Sequence, residues 1–241
     1  MRKYLLLLIL LAGCVDVSET HELMAKSAEK ANSLGSYVIT YERIAVNYVN
    51  KNETLYLTPT TFITKYGGMD GMRWDTVDWL NTSTRLYAIE AGYYMCSHNQ
   101  TWSCEKTDAS RMQEFLGYNV QNPGESIGRQ VSAGALLLGE IKEEEILGRR
   151  SRCFAIEIHP EKFTQQDWNE HVLGSISRET AEEMRDLLVW QCLDVETGMK
   201  TELVLNYKTE IDGGERTVEI SVKANEFTPN QEPEDSLFEL P

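Results

Sequence analysis

Histidine is scarce, and most signatures built around it are missing. The 241 residues hold four, His21, His98, His159 and His171, and none has a second metal ligand or a nucleophile at a useful spacing. No His-Glu-x-x-His and no phosphate-cradling glycine loop occurs. The expectation is a protein that is not an enzyme and needs no cofactor and no metal. Carboxylate pairs distant in sequence stay invisible to a linear reading. Positive charge is short as well, with 23 Lys and Arg against 38 Asp and Glu and a formal net charge of −15. An acidic surface repels phosphate backbones and anionic headgroups, so nucleic acid is excluded as a partner. Long apolar runs stop early. Leu5 to Leu11 is roughly half of the ~20 residues that a membrane span needs, and nothing after it is longer.

What is present begins at that run. Arg2 and Lys3, the apolar segment and Leu11-Ala12-Gly13 make a short secretory signal peptide. Leu11-Ala12-Gly13-Cys14 resembles the lipobox of prokaryotic lipoproteins. That resemblance implies a signal over residues 1–13, lipidation of Cys14 and a tether over 14–19, with the protein held at the outside of the cell membrane by its lipid. Two chains, at about 0.8 kcal/mol per buried methylene, suffice for stable attachment.

Four further cysteines, Cys96, Cys104, Cys153 and Cys192, suit an oxidising compartment and permit three pairings. Ser97–Ser103 reads as a hairpin tip that brings Cys96 to Cys104, which leaves Cys153 for Cys192. A metal site from Cys96, His98 and Cys104 competes weakly, lacking a second ligand pair. Asn52, Asn81 and Asn99 each open an Asn-x-Ser/Thr triplet and are glycosylation candidates in an archaeon.

Leu23, Met24, Ala28, Ala31 and Leu34 share one face of a predicted helix ending at Gly35. From Ser36 the period becomes two. Strands are predicted over 36–49, 54–66, 72–80, 84–90, 93–97 and 101–106, a meander of antiparallel strands. A helix is predicted through Met112, Phe115 and Leu116. A second runs through Ile127, Val131, Ala135 and Leu138, with Leu136 and Leu137 broadening its apolar arc. That breadth means burial on two sides or contact with a ligand. Strands follow over 140–147 and 152–158, and residues 161–176 give no clear period. A helix from Ser177 carries Ala181, Met184, Leu187 and Leu188. Strands over 189–195, 200–208 and 216–224 close the pattern. Leu203, Leu205 and Tyr207, with Val218, Ile220 and Val222, mark one dry face on the last two. Leu237-Phe238 is expected to dock. One domain over 20–241 is the simplest count.

The leading helix ending in Leu34-Gly35-Ser36-Tyr37, the long hairpin, Asp194-Val195-Glu196-Thr197-Gly198 before a strand, and the closing Leu237-Phe238-Glu239-Leu240-Pro241 resemble the lipoprotein-localisation superfamily. It is LolA/LolB-like and includes the RseB-type sensors. The Cys96…Trp102-Ser103-Cys104 stretch is similar to archaeal lipoproteins of this type. The resemblance implies an α+β fold, a strongly curved antiparallel sheet forming a half-open barrel, with helices covering the concave face and an apolar cavity between them. The expected partner is a lipid or other hydrophobic small molecule, with a protein partner as the alternative. Trp74, Trp79, Tyr87 and Tyr93 in the meander, and Leu136, Leu137 and Met184 on the covering helices, are the candidate ligand-binding residues.

Overall fold

The computed structural model describes residues 17–49, 54–68, 71–78, 83–108, 123–169, 178–211 and 214–241. The signal segment, Cys14, Asn52, Trp79, Asn81, His171 and the predicted helix through Met112, Phe115 and Leu116 lie outside them. Among the described residues no helix is long and apolar enough to cross a membrane.

Helix α1 spans Val17–Ser33. Its apolar stripe does what the spacing requires: Leu23 and Met24 enter the main core, and Ala31 reaches a second cluster together with Leu34 just beyond the helix. On its wet side Glu22 and Lys26 pair across one turn.

The chain then builds an antiparallel sheet of 12 strands. The first six are β1 Tyr37–Val49, β2 Thr54–Gly68, β3 Gly71–Val77, β4 Ser83–Ile89, β5 Gly92–Asn99 and β6 Thr101–Thr107. They step outward one after another, as the meander of turns and Val, Ile, Thr and Tyr-rich runs predicts. The second half returns from the other side with β7 Leu136–Leu138, β8 Lys142–Ile146, β9 Arg149–Ile158, β10 Arg185–Asp194, β11 Lys200–Ile211 and β12 Gly214–Pro229. The order is β6-β5-β4-β3-β2-β1-β12-β11-β10-β9-β7, with β8 also on β9. The first strand is thus central and zipped to the last from Tyr37↔Pro229 to Val49↔Arg216. Strands β6 and β7 meet nothing further among the described strands, so the sheet is open.

Register separates two faces. Ile156, Val189, Leu205, Ile220 and Ala45 stand in one cross-strand row. Helices α1 and α2 (Pro123–Ser132) pack on this side at the β7–β11 end, where Met24 and Ile127 join Leu136, Phe154, Ile156, Ile158, Leu187 and Val189. The alternation of the last two strands holds, pairing Leu203 with Val222 and Tyr207 with Val218.

Two expectations change. The helix predicted through Leu138 ends at Ser132, where Ala133 and Gly134 turn the chain and Gly134 takes φ +66. Leu136–Leu138 is instead a strand paired to Ile158–Ile156. The broad apolar arc was two periods run together, with Leu136 and Leu138 inward and Leu137 exposed on the other side. The helix predicted from Ser177 shrinks to Arg178–Glu182 (α4), and Leu187 and Leu188 alternate in β10, buried and exposed. Between these, Pro160–Lys162 forms a 3-10 turn and Gln165–Asn169 a short helix, α3.

Both disulfides form between register partners, Cys96–Cys104 across β5 and β6 and Cys153–Cys192 across β9 and β10. Both lie on the face away from α1. The chain-entropy argument assigns about 2.5 kcal/mol to the short loop and about 4 to the long one. Such bridges belong to an oxidising compartment, outside the cytoplasm.

Candidate ligand-binding face

The helix-bearing side continues beyond the helices. Ile39, Lys65, Trp74, Leu86 and Met95 form a row across β1 to β5, flanked by Tyr41–Ile63 and by Met72, Ala88 and Tyr93. Ile39, Tyr41 and Leu86 are buried, whereas Ile63, Trp74 and Met95 are half-buried. Met72 and Tyr93 are 39% and 37% exposed. On the other half of the sheet Leu203, Leu205, Tyr207 and Val222 are likewise only half-buried. Contiguous apolar side chains on this face are thus left in part exposed to solvent, a feature of interaction surfaces in general.

One cation stands in this row. Lys65 Nζ lies 4.1 Å from the ring centre of Trp74 and 5.3 Å from that of Tyr41. Neither neighbour is a carboxylate. Burial, and after it the charge of Lys200, push the Lys65 ammonium down to about 8. Lys200 is itself lowered by burial, and its backbone oxygen accepts from Tyr41 Oη at 2.7 Å. Burial first, and then neighbouring Tyr37, hold the Tyr41 phenol above its ordinary value. Trp74 Nε1 is buried and has no hydrogen-bond partner among the described residues.

The expected ligand residues divide. Trp74 and Tyr93 occupy this face. Leu136 and Met184 are buried in the main core beside α1, and Leu137 points away from it. Tyr87 is fully buried on the opposite face, against Arg73 and Tyr66. Arg73 there forms a bidentate pair with Asp75 and donates to Leu237 O. Phe238 is buried, as expected of the docked end. Asn99 is exposed at the end of β5, beside the tight turn at Gln100 (φ 66). His98 and Trp102 stack with centroids 5.1 Å apart.

The linear reading missed Lys65, Lys200 and Tyr41, because a strand's face is undefined until its partners are known. It also missed Gly124-Glu125-Ser126-Ile127-Gly128, which has the spacing of a serine-nucleophile elbow. An elbow needs a sharp strand-to-helix turn with an exposed hydroxyl. Ser126 is instead buried inside α2, accepting from Gln130 Nε2 at 3.0 Å. That network runs on to Asp167, whose carboxylate accepts from Arg129, Gln130 and Thr164. Burial works against this carboxylate, but those donors hold it below its ordinary range. It fastens α3 to α2. A groove of about 210 Å³ runs beside α1, lined by Glu19, Glu22, Lys26, Lys30, Arg152 and a few smaller groups. Its charged walls do not suit an apolar chain.

No family model matches the chain, and no curated protein matches it. Solved structures do resemble it at low identity. MucB in complex with MucA(peri) is 11% identical with a TM-score of 0.42, covering 94% of this chain and 60% of that one. The MucA/MucB complex of Pseudomonas aeruginosa is 11% identical with a TM-score of 0.45, covering 92% and 61%. A DUF1329 family protein from Desulfovibrio piger is 12% identical with a TM-score of 0.36, covering 94% and 98%. The chain spans about three-fifths of the MucB-containing chains it matches.

Proposed function

We propose that this chain is a lipid-anchored, extracytoplasmic lipoprotein of LolA/LolB-like build. It holds a lipid or other hydrophobic molecule against the helix-bearing face of its sheet, and it works by burial, not by chemistry. In this reading the sheet curves into a half-open barrel and the helices close over the ligand. The supporting observation is the half-buried, mostly apolar surface on this face, with Leu203, Leu205 and Val222 on one half of the sheet and Ile63, Trp74 and Met95 on the other. Burying a further 300 Å² of it under an acyl chain is worth about 7 kcal/mol before the costs of association.

The full chain carrying Cys14→Ser, exported and recovered without detergent, tests both parts. Lipidation at Cys14 requires the variant to leave the membrane fraction while the wild type stays. Native mass spectrometry of the variant should then show a bound hydrophobic molecule, or uptake of one offered in vesicles. A variant that neither carries nor takes up any apolar molecule would end the ligand reading.

A protein partner is the second reading. It is favoured by β6, an edge strand with no strand beyond it among the described residues. Such an edge can accept an added strand. Cross-linking on intact cells from Ser103 or Glu105 would recover a partner if this edge is used.

A further inference from the structure

We propose that Lys65, with Trp74, forms a headgroup site for a single-chain amphiphile whose head is anionic, a carboxylate or a phosphate monoester. This rests on the helix-bearing face being the ligand surface, and adds which chemical class that surface selects.

A lysine in the middle of an apolar row is costly unless something pairs with it. Lys65 stands between Ile39 and Trp74 along the hydrogen-bonded direction of the sheet. Its described neighbours are two aromatic rings, which supply cation–π attraction at 4.1 and 5.3 Å but no formal negative charge. A second cation, Lys200, is near enough to lower it further. The indole under the ammonium carries a buried N–H without an acceptor. Two deficits therefore meet at one place: the Lys65 ammonium has no formal counter-charge among its described neighbours, and the indole N–H has nothing described to donate to. A single anionic oxygen cluster relieves both, since charge-assisted hydrogen bonds in a water-poor setting are among the stronger ones. The surroundings fix the rest of the ligand. Ile63, Leu86, Met95 and the exposed Met72 flank the site on the same face, so the group attached to the anion has to be apolar. The protein's net charge of −15 makes this local cationic spot a specific feature and not part of a general basic surface. It also disfavours anionic ligands that cannot reach it.

The test uses the full chain with Cys14→Ser and three probes: palmitate, dodecyl phosphate and 1-monopalmitoylglycerol. Binding is read by calorimetry below each probe's micelle threshold. Palmitate or dodecyl phosphate should bind at least tenfold tighter than the neutral glyceride, and whichever anion binds tighter identifies the head. Lys65→Met should lose at least tenfold for the anions and leave the glyceride within threefold. Lys65→Arg should recover most of the anion affinity, and far-UV circular dichroism checks that both variants fold. Equal binding of glyceride and anions, or anion binding untouched by Lys65→Met, overturns the headgroup site while the hydrophobic-ligand reading survives. Failure of all three probes to bind also overturns the headgroup site, and the hydrophobic-ligand reading is then decided by the native mass spectrometry above.

Discussion

Arg73 Nη1 donates to Leu237 O at 2.9 Å, across 164 positions of the chain. This contact ties the returning C-terminal segment to the sheet face opposite α1 and α2, beside the buried Phe238. The Asp75 carboxylate compensates the guanidinium, and Tyr87 packs against it at 5.6 Å. The Tyr87 hydroxyl, in contrast, is buried with no partner among the described residues. Tyr87→Phe is therefore expected to be neutral or slightly stabilising, because it removes a desolvated polar group and keeps the ring. Asp75→Asn should cost about 3 kcal/mol by leaving a buried charge uncompensated. Phe238→Ala should cost about 2–4 kcal/mol. Urea unfolding of the three variants, at unchanged m-value, checks the order.

Asp194 organises the turn between β10 and β11. It is fully buried, and it accepts from Arg149 Nε at 2.8 Å, from Thr197 N at 2.8 Å and from Thr197 Oγ1 at 2.7 Å. Burial pushes this carboxyl up, but Arg149 and Thr197 outweigh it and hold it below its usual range. A depressed acid contributes stability that is present above the unfolded value near 4 and lost as pH falls through the lower folded value. Asp194→Asn should cost about 2 kcal/mol at pH 7. The gap from wild type should close as the solution is acidified below pH 4, in thermal melts run from pH 7 downward.

Gly198 closes the same turn with φ +72, and a methyl group there would stand 2.0 Å from Ser27 O of α1. Two penalties combine, the left-handed backbone and a clash with main chain that has no rotamer to yield. Gly198→Ala is expected to destabilise by at least 2 kcal/mol. It should also loosen the end of α1, where Lys30 donates to Val195 O. Hydrogen exchange over residues 24–33 reads this directly, with faster exchange expected in the variant.

The parts of this molecule that were legible in sequence are those with a sustained period. Val218, Ile220 and Val222 alternate with Glu219, Ser221 and Lys223, a period of two that a helix does not reproduce. The stripe of α1 is legible for the same reason. Leu136-Leu137-Leu138 was not, because three consecutive leucines satisfy helix and strand alike, and only pairing to β9 decides. Tyr87 and Trp74 looked equivalent as aromatics in a meander, yet they face opposite sides of the sheet. Their strands' alternation is visible in sequence, but which face acquires helices and which acquires the C-terminal segment depends on elements outside the meander. Lys65 was passed over because a lysine in a strand is ordinarily solvent-facing, and only the row Ile39–Lys65–Trp74 shows otherwise.

That row gives the protein an unusual alkaline response. The Lys65 ammonium loses its proton near 8 in the folded chain, against an ordinary lysine value near 10.5. Below about pH 8 both folded and unfolded chains carry the proton, and the full cost of the buried charge is felt. Between about 8 and 10.5 the unfolded chain holds more protons, so stability rises with pH through that window. Lys65→Met removes the cost and should be more stable than wild type at pH 7 by about 1–3 kcal/mol, discounted for the side chain's partial exposure. The advantage should fade toward pH 10.5, where wild-type Lys65 is neutral in both states. Lys200 responds in the same direction, so some upward slope remains in the variant. Urea midpoints at half-unit steps from pH 7 to 10.5 measure the difference. A Met variant no more stable at pH 7, or a gap that does not narrow, would mean that solvent or a carboxylate reaches this ammonium. A saturating anionic ligand on the wild type should mimic the substitution at pH 7, because it neutralises the same charge.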